Sequence, residues 1–118
     1  MLFILMTNLI DKNMTLETAK ALKENGWIKE TEKYWAWSKD YSNYYISDGS
    51  SSEVNIPCPS TDELLAELPI GVTIEKCKVD LQPMYRVFIE KHDIYILNSN
   101  LSEALAQLWI ALKKEGLI

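Results

Sequence analysis

LSEALAQLWIALKKE, residues 101–115, places Leu101, Ala104, Leu105, Leu108, Trp109 and Leu112 at i, i+3, i+4, i+7, i+8 and i+11. That spacing is one continuous apolar stripe along a helix. Asn100 is a favourable N-cap, with Glu103 three residues on in the capping-box position. Lys113 and Lys114 complement the negative end of the helix dipole. Gly116 followed by Leu117 reads as a left-handed stop with an apolar residue just beyond it. A helix with this one broad stripe needs a sheet or other helices to cover it, so its neighbours decide the fold.

Two further helices carry the same local signals. Residues 15–25 start at Thr15 as N-cap, with Glu17 in the first turn. They end at Gly26-Trp27, the same kind of stop. Residues 61–68 follow the extended entry set by Pro57 and Pro59. Ser60 caps, Glu63 completes the box, and Leu64, Leu65 and Leu68 share one face. Pro69-Ile70-Gly71 ends it.

Strands fill the intervals. Residues 34–38 alternate, and residues 44–47 can pair with them through the loop 39–43. Residues 72–81 change phase midway. Val72 and Ile74 share one face, whereas Cys77, Val79 and Leu81 share the other, which predicts a bulge near Glu75 and Lys76. Residues 84–90 and 94–98 form a hairpin around Lys91-His92-Asp93. The expectation is therefore an α+β domain of order α-β-β-α-β-β-β-α. One antiparallel sheet of four to five strands would carry the helices mainly on one face. SDGSSSE at residues 47–53 is a polar loop.

The chain has 118 residues, 47% hydrophobic and 25% charged. That is the size and composition of one globular domain, spanning residues 1–118. The apolar start MLFILM, residues 1–6, has no charged lead and is far short of the ~20 apolar residues of a membrane span. Residues 1–13 read as an edge strand or docked tail. Met1, Met6 and Met14 are alternative translation starts. A net charge of −5 and scattered lysines speak against a phosphate-binding surface, so nucleic acid is not the expected partner. Two cysteines, Cys58 and Cys77, with no C-x-x-C spacing, fit free thiols in a reducing cytoplasm.

Chemistry-bearing patterns are sparse. His92 is the single histidine, so neither a histidine metal trio nor a Ser-His-Asp triad can form within one chain. A nucleophilic Cys58 would have only His92 as a base. Asp62, Glu63 and Glu67 are accounted for by a helix start and a solvated face, and Asp40 and Asp48 by turns. Glycine-rich phosphate loops and calcium loops are absent. No cofactor, metal or catalytic residue is expected, and the chain does not read as an enzyme.

The unusual feature is aromatic density. Tyr34, Trp35, Trp37, Tyr41, Tyr44 and Tyr45 fall within twelve residues. Strand alternation prevents all six from being core, so the outward set is the candidate binding surface. It would serve a protein partner or, as the alternative, act as a stacking platform for a small ligand or nucleic acid. Homo-oligomerisation through a sheet edge or the last helix stays open.

Several segments together resemble small uncharacterised proteins encoded in bacteriophages, prophages and related mobile elements. They are LETAKALKENGW (16–27), YWAW (34–37), PCPSTDELLAELP (57–69) and LSEALAQLWIALKKEGL (101–117). The resemblance implies an accessory gene product of a bacterial or phage-infected cytoplasm. It brings no catalytic residue to carry over. The missing chemistry, the acid balance and the surplus aromatics make a non-enzymatic module acting through protein contacts the leading expectation.

Overall fold

A computed structural model describes residues 13–48 and 56–118. The N-terminal tail lies outside the described residues apart from Asn13, and so does most of the polar loop 47–53. The elements are α1 (Leu16–Glu24), β1 (Lys33–Ser38), β2 (Asn43–Asp48), β3 (Ile56–Pro57), α2 (Thr61–Glu67), β4 (Thr73–Val79), β5 (Gln82–Ile89), β6 (Ile94–Asn98) and α3 (Leu101–Lys114). The α+β class is as expected. The single sheet is not: the strands form two antiparallel three-stranded sheets, ordered β2-β1-β3 and β4-β5-β6.

The division follows from β3. Ile56 and Pro57 return to the free edge of β1, pairing with Trp35 and Tyr34, and Cys58 N–H donates to Lys33 O at 3.0 Å. β2 lies on one edge of β1 and β3 on the other, and the later strands form a sheet of their own. A two-residue strand ending in proline has no periodicity to announce it, which is why the expected order lacked it.

The predicted bulge in β4 is also absent. Its register on β5 runs unbroken from Thr73↔Phe88 to Val79↔Gln82. The phase change arises because β4 is apolar on both faces: Ile74 lies on the α3 side and Cys77 and Val79 on the opposite side. The tip is a two-residue turn at Asp80 and Leu81, with φ of 50° and 67°. Both values lie in the left-handed region that two-residue hairpins prefer. β5 therefore starts at Gln82, two residues before the expected 84.

The helix ends match the sequence closely. Thr15 Oγ1 accepts from Thr18 N–H, and Ser60 and Glu63 form the full reciprocal capping box. Both glycine stops close as Schellman motifs. Trp27 N–H donates to Leu22 O and Leu117 N–H to Leu112 O, each at 2.9 Å. Gly26 and Gly116 supply the positive φ (100° and 69°). Trp27 then turns back so that its ring meets Trp109 edge-on at 5.3 Å.

Helix α3 is the hub. Its buried stripe, Ala104, Leu105, Leu108, Trp109 and Leu112, packs on β5 and β6 and on both other helices. Val87 and Ile89 are buried against it, with Ile94 and Ile96 alongside. Glu103 differs from its expected role. Asn100 Oδ1 does accept from Glu103 N–H at 3.1 Å, so the N-cap holds. The Glu103 carboxylate, however, does not return to its own N-cap but reaches the start of another helix. Oε1 accepts from Thr15 N–H (2.8 Å), and Oε2 accepts from the Thr18 hydroxyl and from Gln107 Nε2 (2.7 Å). A carboxylate only 5% exposed thus fastens the start of α1 to α3.

Candidate interaction surfaces

The six aromatics of residues 34–45 do not share a surface. Cross-strand pairing puts Trp35 beside Ile46 and Trp37 beside Tyr44 on one face, with Tyr34 and Tyr45 on the other. Trp35, Tyr44 and Ile46 pack against the core. Tyr34 is buried, its hydroxyl accepting from Thr31 N–H at 3.4 Å. What remains open is Trp37 at 49%, Tyr45 at 50% and Tyr41 at 84%. Trp37 and Tyr45 point to opposite sides of the sheet, and Tyr41 sits in the turn. One local cluster survives: Trp37 stands edge-on to Tyr44 at 5.1 Å, with Lys20 Nζ 5.3 Å above the Tyr44 ring.

A larger surface lies where the sequence raised no candidate. The face of the second sheet turned away from α3 carries Cys77, Met84, Phe88, Tyr95 and Leu97, with Val79 toward the tip. Tyr95 is 65% exposed, and Val79 and Leu97 are also open to solvent. Phe88 and Tyr95 are cross-strand neighbours, and so are Arg86 and Leu97. The two charges on this face satisfy each other, with Arg86 Nη2 2.6 Å from Glu75 Oε2. Beside them runs a groove of about 470 Å³ lined by Glu75, Arg86, Phe88, Glu90, Asp93 and Tyr95, together with Ile89 and Ile94.

The signal for this face was present in the sequence. MYRVFI and IYILN are apolar at almost every position rather than at every second one. Strands patterned this way are ordinarily covered on both sides. Here α3 covers one side, and among the described residues nothing packs across the other. At the tip of the same sheet Leu81 is 90% exposed and held at φ 67°. A left-handed non-glycine costs roughly 1–2 kcal/mol, so the exposed leucine stands there against the local backbone preference.

The structure places the remaining chemistry-bearing residues among the described ones as follows. Cys58 is buried between two prolines. Desolvation pushes its thiol up to about 11, against a partial opposing effect from Lys33. The charged groups acting on it are Lys33, Glu63 and Glu103, not His92, which sits in the 3-10 turn between β5 and β6. A thiol so displaced from neutrality is a poor nucleophile. Glu63 is held in its capping box, and Glu67 lies 3.8 Å from Lys29 at the surface. Among the described residues no group of three or more His, Cys, Asp or Glu could hold a metal ion. No helix among them is long and apolar enough to cross a membrane. A second, polar cleft is lined by Thr15, Thr18, Asn98, Asn100, Glu103 and Gln107, and several of these side chains are engaged in the capping network.

No family model, curated protein or solved structure matches this chain.

Proposed function

We propose that the protein is a non-enzymatic interaction module whose binding surface is the outer face of the second sheet. The observation that carries this reading is the two-faced apolar pattern of β5 and β6, only one face of which is covered by α3. An apolar sheet face rimmed by charge is the usual anatomy of a protein contact site. An accessory role in a bacterial or phage-infected cytoplasm, as expected from the sequence, is part of this proposal.

The test is affinity capture from native bacterial lysate, with nuclease, comparing the wild-type chain with Tyr95→Ser/Leu97→Ser. Both side chains are exposed, so the variant should fold normally, and its partner should be lost. Retention of the same partner by a folded variant would remove this surface from consideration.

A second reading keeps the β1–β2 hairpin as a stacking platform for a small ligand or nucleic acid, resting on the cluster of Trp37, Tyr44 and Lys20. It predicts quenching of Trp37 fluorescence by oligonucleotides with a steep salt dependence. It also predicts that Trp37→Ala abolishes the quenching. A flat titration at low salt rejects it.

A further inference from the structure

We infer that the groove at Phe88 and Tyr95 takes a cationic side chain, lysine or arginine, from a partner segment with apolar neighbours. This inference rests on the proposed interaction face and adds the chemistry of its partner.

The protein itself contains a worked example of the contact. Arg86 lies over the Phe88 ring at 5.3 Å, with its guanidinium on the Glu75 carboxylate at 2.6 Å. An aromatic face plus a carboxylate is the combination that favours a guanidinium or ammonium group. The rest of the groove repeats those parts without an internal cation. The Tyr95 ring is open, and Glu90 and Asp93 are exposed and make no ion pair among the described residues. Three carboxylates and one guanidinium line the groove, and one carboxylate is already used by Arg86. The surplus is therefore negative. Lys91 belongs to the same turn but does not line the groove.

Apolar neighbours in the partner follow from Leu97, Met84 and Val79, which extend the surface away from the acidic end. A basic segment would be drawn in by the net charge of −5 and fixed by aromatic contact.

The experiment is a titration of the full chain, observed by amide NMR, with two capped hexapeptides: alternating arginine and leucine, and its counterpart with glutamine replacing arginine. The arginine peptide should shift the resonances of Phe88, Glu90, Asp93 and Tyr95. It should bind at least tenfold more tightly than the glutamine peptide. Glu90→Gln/Asp93→Asn should erase that preference, and Tyr95→Ala should weaken binding with the carboxylates intact. All three positions are exposed, and asparagine tolerates the left-handed φ of 51° at residue 93.

Equal binding of both peptides, full affinity in the double variant, or shifts scattered away from the groove would each overturn the cationic preference. Silence from both peptides would overturn it too. The apolar-face reading is decided separately, by the lysate capture with Tyr95→Ser/Leu97→Ser.

Discussion

Replacing Glu103 by alanine tests whether one buried carboxylate joins α1 to α3. The carboxylate accepts from a backbone N–H, a hydroxyl and a side-chain amide, and it is almost fully shielded from water. A hydrogen bond to a charged group contributes about 1.5–3 kcal/mol, and a neutral one about 1. Truncation also strands the Thr15 N–H, an orphan donor at a helix start. Against these losses stands the relief of a desolvated carboxylate that has no ion pair among the described residues. The net expectation for Glu103→Ala is a loss of about 2–4 kcal/mol. Glu103→Gln keeps one acceptor oxygen but turns an NH₂ toward donors, for about half that loss. Urea unfolding followed by far-UV circular dichroism would report it as a lower midpoint at unchanged slope. A cycle with Thr18→Val should show coupling on the order of 1 kcal/mol. A Glu103→Ala chain within 0.5 kcal/mol of wild type would refute the reasoning, because desolvation would then cancel the whole network.

Three other expectations follow from the same geometry. Burial raises the Cys58 thiol from 9.0 to about 11, so the unfolded chain releases this proton first as pH rises. The stability tied to the protonated thiol is full below pH 9 and is lost between pH 9 and 11, roughly 2–3 kcal/mol in all. Cys58→Ala should flatten that part of the stability–pH curve relative to wild type, and a thiol reagent at pH 8 should label Cys77 well before Cys58. Gly26→Ala places a side chain at φ 100° in the stop after α1 and should cost about 1 kcal/mol by urea titration. Leu81→Gly relieves the left-handed turn at the β4–β5 tip and should raise stability by about 1 kcal/mol. Unchanged stability there would mean that Leu81 finds compensating contacts.

What the sequence made legible was what depends on neighbours within a few residues. Thr15, Ser60 and Asn100 cap as read, and Gly26 and Gly116 close their helices through bonds spanning five residues. The division into two sheets was not legible, because it turns on Ile56 and Pro57 reaching back to Tyr34 and Trp35 across a polar loop. Glu103 shows the same limit. Its place at N3 predicted a bond within its own helix, whereas its acceptors serve Thr15 and Thr18 far earlier in the chain.

For the candidate surface, local density and strand pattern point to different faces. The aromatics of β1 and β2 stand out by count, yet alternation divides them between two faces and burial removes half of them. Met84, Phe88, Tyr95 and Leu97 are individually ordinary. The telling feature is that their strands carry apolar residues on both faces, and a phase change in β4 that resembled a bulge was part of the same pattern.

Hydroxyl-radical footprinting of the chain, free and in complex with a partner captured after nuclease treatment, tests the central claim most directly. Oxidation reports Met84, Phe88, Tyr95, Trp37 and Tyr41 in one experiment. The account predicts protection of Met84, Phe88 and Tyr95 in the complex, with Trp37 and Tyr41 as reactive as in the free chain. Protection at Trp37 and Tyr41 with the second sheet unchanged would contradict it and return the binding surface to the hairpin.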